Sequence, residues 1–172
     1  MKSTSQLIAI FCVMSAFALS GSAQPDQGDW ELSLSGALSI VDPDDGSSSE
    51  VLTISGEASY YYTPNWEVGV SPTVFVSFDD DTTSVILDLI GNYNFVSDSP
   101  WVPYIGAGGG FGYVEVDDDD DFDPLLGGQA GIKYFFEDNN NFFAEYRYRH
   151  VFDADFDSHQ VLVGVSILFG GS

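Results

Sequence analysis

The sequence predicts an all-β fold, an eight-stranded antiparallel up-and-down transmembrane β-barrel, on three observations. After residue 24 the chain reads as eight successive segments in which apolar residues alternate with small or polar ones, the period of two expected of strands with unlike faces. The connections alternate as well: the first, third, fifth and seventh are rich in aspartate, and the second, fourth and sixth are tight turns flanked by aromatics. No stretch beyond the N-terminus approaches the roughly 18 consecutive apolar residues of a transmembrane helix, although 44% of the 172 residues are hydrophobic.

Residues 1–23 read as a signal peptide and 24–172 as one barrel domain. Lys2 supplies a positive n-region, Leu7 to Leu19 an apolar h-region, and Gly21-Ser22-Ala23 a small-residue cleavage site before Gln24. The only cysteine, Cys12, falls inside this segment behind the bulky Phe11, which argues against lipoprotein processing, and disulfides have no part in the mature chain. Without Lys2 three basic residues stand against 27 acidic ones, which excludes nucleic acid as a partner.

The first strand, about Trp30 to Ile40, sets Trp30, Leu32, Leu34, Leu38 and Ile40 against Glu31, Ser33, Ser35 and Ser39. The second, about Val51 to Tyr62, sets Leu52, Ile54, Ala58, Tyr60 and Tyr62 against Thr53, Ser55, Glu57 and Ser59. After Thr63-Pro64-Asn65, the third opposes Trp66, Val68, Val70, Val74, Val76 and Phe78 to Glu67, Gly69, Ser71, Thr73 and Ser77, with Pro72 marking a bulge or a poorly paired position. In the fourth, Val85, Leu87, Leu89, Tyr93 and Phe95 oppose Ser84, Asp88, Asn92 and Asn94.

The fifth strand, about Trp101 to Val116, carries Ile105, Ala107, Phe111 and Tyr113 on one face and Gly106, Gly108, Gly110 and Gly112 on the other, where missing side chains leave room for something bulky. Neither a lysine nor a helix-forming stretch follows Gly112, so this is no phosphate loop. The sixth sets Ala130, Ile132, Tyr134 and Phe136 against Gln129, Gly131 and Lys133; the seventh sets Phe142, Ala144, Tyr146 and Tyr148 against Glu145, Arg147 and Arg149. The eighth ends the meander with Val161, Val163, Val165, Ile167 and Phe169 opposite Gln160, Gly164 and Ser166. Closure into a barrel removes the unpaired edges.

Alternation alone does not say which face is inside, but three features point the apolar face outward, into lipid. The charged strand residues Glu57, Glu67, Asp88, Lys133, Glu145, Arg147 and Arg149 share a face with the glycines and would pair inside the barrel. Aromatics crowd the strand ends near the short turns: Tyr60, Tyr61, Tyr62 and Trp66; Phe95 and Trp101; Tyr134, Phe135, Phe136, Phe142 and Phe143. Rings at one level form an interfacial girdle. Each strand also has roughly the 9 to 11 residues that cross a bilayer at a tilt.

These features resemble the small outer-membrane β-barrels grouped with the outer-membrane protein A transmembrane domain and the opacity-type, porin-like proteins. The likeness rests on the signal peptide, the eight strands, the segment Pro103-Tyr104-Ile105-Gly106-Ala107-Gly108-Gly109-Gly110, the Glu145-Tyr146-Arg147-Tyr148-Arg149 strand and a last strand ending in Phe169, here followed by Gly170-Gly171-Ser172. It covers the mature chain, with no room after the eighth strand for the peptidoglycan-binding domain of some relatives. It implies the outer membrane of a Gram-negative bacterium, both termini periplasmic, with outer-membrane lipid, lipopolysaccharide and the barrel-assembly machinery as partners.

An eight-stranded barrel is just wide enough for side chains, so the charged face reads as a structural plug rather than a wide pore. The loops opposite the aromatic turns hold 16 of the 27 acids: Asp42, Asp44, Asp45 and Glu50; Asp79 to Asp81; Asp117 to Asp121 with Asp123; and Asp153, Asp155 and Asp157. Clustered carboxylates suit Ca²⁺ or Mg²⁺, which makes Asp117, Asp119, Asp121, Asp153, Asp155 and Asp157 weak metal candidates. Ser158 and Gly164, however, occupy the glycine and glutamate positions of a calcium loop, and a solvated, repulsive face is the simpler reading. No cofactor is expected.

Two alternatives remain. Lipid A deacylases follow a strand histidine two residues later with a serine; here Phe152 follows His150, and only Ser158 and His159 on the next strand could complete a group, so no catalysis is expected. A soluble lipocalin-like binder would match Gly28-Asp29-Trp30, but a cavity lined by arginine, lysine and glutamate argues against it. The expected role is structural or surface-interacting.

Overall fold

The computed structural model describes residues 24–41, 49–77, 83–116, 119–137, 139–152 and 156–170, so the predicted signal peptide and the acidic stretches 42–48, 78–82 and 153–155 lie outside the described residues. Eight strands run in chain order: β1 (Trp30–Val41), β2 (Ser49–Thr63), β3 (Trp66–Ser77), β4 (Thr83–Asn94), β5 (Trp101–Val116), β6 (Asp119–Glu137), β7 (Asn140–Val151) and β8 (Phe156–Phe169). Each pairs antiparallel with its neighbours, and β1 meets β8 from Trp30↔Phe169 to Gly36↔Val163, so the sheet closes as a barrel. Closure gives every strand a partner on both sides, the condition for a sheet in a medium without water.

Bulges at Tyr61/Thr63 and Phe135/Glu137 lead into the turn-side connections. Pro72, flagged by the sequence, sits where the β2–β3 ladder skips between Ser55↔Thr73 and Ala58↔Val70. Proline has no N–H to give there, and the Ser71 hydroxyl donates to the Gly56 carbonyl instead at 3.2 Å.

The β5–β6 hairpin departs from expectation. The sequence pattern predicts an acidic loop at Asp117 to Asp121 with Asp123, yet the ladder continues through Tyr113↔Phe122 to Val116↔Asp119. Asp119, Asp121 and Asp123 therefore belong to a strand, because antiparallel pairing with β5 supplies backbone hydrogen bonds that local propensity does not foretell. Asp157 likewise lies in β8 rather than in a loop.

The barrel is inside out relative to a soluble protein. Leu89 is 67% exposed and Val161 66%, while Arg149 is 2% and Glu67 0%. Such a continuous apolar outer surface cannot face water, which removes the soluble lipocalin-like alternative. Trp30–Tyr60–Tyr62, Trp66–Tyr93–Phe95, Trp101–Tyr134 and Phe136–Phe142 form ring contacts around the turn end, with centroids 4.4–5.2 Å apart. Three aromatics expected in that girdle are not in it. Tyr61 and Phe135 are fully buried in the lumen, and Phe143 packs beside Gly164 on the inner face. In a run such as Tyr60-Tyr61-Tyr62 the pleat turns the middle ring the other way.

Candidate functional site

The lumen is the most organised polar region of the molecule. Its turn end is closed by an apolar cluster of Val102, Phe135 and Leu168, with Val96 against it. Gln24 Nε2 donates to the Ser99 carbonyl at 3.0 Å, tying the residues before β1 to the β4–β5 connection on the far side of the barrel.

Above that cluster, Lys133 Nζ lies 2.8 Å from Glu31 Oε2 and 3.0 Å from Glu67 Oε2, and donates to the Tyr61 hydroxyl at 2.8 Å. The Tyr61 and Tyr104 rings lie 5.4 and 5.3 Å from the ammonium. Glu31 accepts further bonds from Tyr61, Ser166 and Asn141, and Glu67 from Ser59 and Asn94. The dense donor set offsets the desolvation of three buried charges.

A second layer centres on Arg147. Its Nε donates to Glu145 Oε1 at 2.6 Å, its Nη1 to Ser71 Oγ at 3.1 Å, and its Nη2 lies 3.6 Å from Glu57 Oε2. Tyr104 donates to the other Glu145 oxygen at 2.7 Å. Gly131 makes room for that phenol, because a Cβ there would lie 2.5 Å from Tyr104 Cζ. In a third layer Arg149 Nη2 and Nε bond Asp88 Oδ2 at 2.6 and 3.0 Å, Nη2 also donates to Thr73 Oγ1 at 3.0 Å, and Nη1 donates to Gln160 Oε1 at 2.7 Å.

The seven charged residues singled out from the sequence thus all turn inward, in three layers. Glu31, Tyr61, Tyr104, Asn92 and Gln129 were missed, although Glu31 sits on the polar face of its strand and alternation alone would have found it. Five carboxylates meet three cations. Glu57 is the least provided for, since its ion pair at 3.6 Å is its single partner among the described residues.

Outside the lumen, His150 Nδ1 lies 2.9 Å from Asp157 Oδ1 and Tyr148 donates to that same oxygen at 2.7 Å. Ser158 shares the lumen face with Gln160, opposite in direction to His159, so the serine and the histidines do not meet. Of the metal candidates, Asp119 and Asp121 are strand residues, and Asp117, Asp153 and Asp155 fall outside the described residues. No group of three metal-ligating side chains forms among the described residues.

A closed antiparallel barrel with an apolar exterior, an aromatic girdle and a polar, ion-paired core defines a transmembrane β-barrel of the outer-membrane class. The family model for the outer membrane protein beta-barrel domain matches residues 9–169, and the chain belongs to that family. Among solved structures it is similar to Neisserial surface protein A (NspA), with a TM-score of 0.63, 20% identity, 85% of this chain and 100% of that one. The N-terminal beta-barrel domain of OprF from Pseudomonas aeruginosa gives 0.61 at 19% identity, covering 84% and 100%, and OprG from the same organism 0.60 at 14%, covering 87% and 99%. No curated protein matches.

Proposed function

We propose that this chain is a structural outer-membrane barrel without enzymatic activity, its lumen occupied by an ion-paired plug and its acidic end turned to the cell exterior, with both termini periplasmic. The observation that carries this is the burial of Lys133 and Arg149 within 3.0 Å of carboxylates on strands across the barrel, with Arg147 between them 2.6 Å from Glu145 on its own strand and 3.6 Å from Glu57. The aspartate-rich connections give that end a repulsive, cation-attracting surface, the seat of any surface interaction. Divalent cations would gather there as a diffuse layer or at the stretches around Asp117 and Asp153.

The test is conductance in planar bilayers after refolding in detergent. The plug and the apolar seal beneath it predict no stable, wide open level for the unmodified chain, nor for one in which Arg147 and Glu145 alone are replaced by alanine, because the Lys133 and Arg149 layers and the Val102, Phe135 and Leu168 cluster remain. A steady large conductance from the unmodified chain would remove the plug reading. Thermal unfolding with and without millimolar Ca²⁺ tests the loop surface separately, an upward shift being the expected outcome.

A further inference from the structure

The outward side chains of β8 from Phe169 through Ile167, Val165 and Val163 to Val161 are all apolar and exposed. Ten residues separate Phe169 from His159, which at ~3.3 Å per residue and a tilt of about 40° spans roughly 25 Å, the height of the apolar band of such barrels. His159 therefore stands at the outer edge of the lipid core, at headgroup level.

There the outward surface changes character. The register sets Tyr148 beside His159 and His150 beside Asp157, one step above Tyr146 and Val161. The Tyr146 hydroxyl and His159 Nδ1 lie 2.6 Å apart, and Tyr148 and His150 converge on Asp157. The Tyr148 and His159 rings are 5.2 Å apart, and the Phe152 ring meets His150 edge-on at 4.9 Å. Both histidines of the chain are in this patch. At the same end the neighbouring outward residues are Pro124 and Leu126 on β6, Phe111 on β5 and Val85 on β4, so the polar rings do not form a belt around the barrel among the described residues.

The chemistry selects a ligand class. Phosphate recognition calls for arginine or lysine; of the four in this chain, three are locked in the lumen and Lys2 lies in the predicted leader. A carboxylate at the centre of the patch repels an anion. A carboxylate acceptor, phenolic hydroxyls and imidazole nitrogens set among ring faces instead match the hydroxyl groups and C–H faces of a pyranose. We propose that the outer ends of β7 and β8 bind the saccharide headgroup of an outer-leaflet glycolipid through Tyr148, His150, Asp157 and His159. This rests on the reading of the outward face as lipid-facing.

Native mass spectrometry of the refolded full chain in micelles would test it with three probes: lipid A, lipid A stripped of its phosphates, and phosphatidylglycerol. The expected result is similar retention of both lipid A forms, each bound about tenfold more tightly than phosphatidylglycerol. Combined Tyr148→Phe and Asp157→Asn substitution, which leaves the lumen untouched, would lower both lipid A affinities about tenfold and leave phosphatidylglycerol unchanged. His159→Gln serves as a second variant with the same expectation. Binding that disappears with the phosphates, or variants that lose all three lipids alike or none, would overturn the proposal. A chain that fails to enter micelles or bilayers would overturn the membrane reading with it, whereas insertion without sugar preference would overturn this proposal alone.

Discussion

Lys133 and Glu57 mark the two ends of the range over which buried charge is satisfied in this lumen. Lys133 holds Glu31 and Glu67 together and touches two tyrosine rings, so Lys133→Met would strand two carboxylates. Breaking one side of a buried pair costs about 3–5 kcal/mol, to be read as a lowered urea midpoint in micelles, and added Glu31→Gln and Glu67→Gln would restore much of it. Glu57 has one contact at 3.6 Å in a lumen with more carboxylates than cations. Glu57→Gln is therefore expected to leave stability unchanged or raise it slightly, whereas Glu67→Gln lowers it; equal losses in the two variants would show that both carry the same weight. At Gly131 the constraint is steric: Gly131→Ala must displace the Tyr104 ring from Glu145, at about 1–3 kcal/mol.

At the scale of the strand, alternation is the physical link between sequence and site. Because side chains change face at every residue, the sequence alone puts Glu145, Arg147 and Arg149 on one face of β7, the face that the barrel buries. The same rule, applied to Tyr61 and Phe135, would have placed them inside; clustering of aromatics was the weaker signal and it misled. Which cation meets which carboxylate was not legible, since Lys133 and Glu31 are brought together by barrel closure across more than a hundred residues. Nor was the extent of β5 and β6, where pairing with a partner strand overrides the turn-forming tendency of consecutive aspartates. The outer face of β4 gives a direct check of polarity. Leu89→Arg, at the most exposed apolar position, should destabilise the chain by about 2–4 kcal/mol in liposomes if that face meets hydrocarbon near the midplane. A neutral effect would place the residue in water.

For the whole molecule, an even number of strands forces both chain ends to one side of the sheet's span and the odd-numbered connections to the other. The turn-side connections carry the complete ring girdle and an apolar seal under the lumen, and the opposite connections carry the aspartates. In the orientation proposed above, the aspartate-rich connections cross the membrane, and their 16 carboxylates must pass an apolar layer. The proposed orientation is testable in intact cells. An epitope inserted between β3 and β4, within residues 78–82, should be cut by added protease, and one at Asn65, between β2 and β3, should be cut only after the outer membrane is opened. Reversed accessibility would place the acidic connections in the periplasm. The saccharide site at the outer ends of β7 and β8 would then face inner-leaflet phospholipid, and its preference for a sugar headgroup would have no ligand to meet.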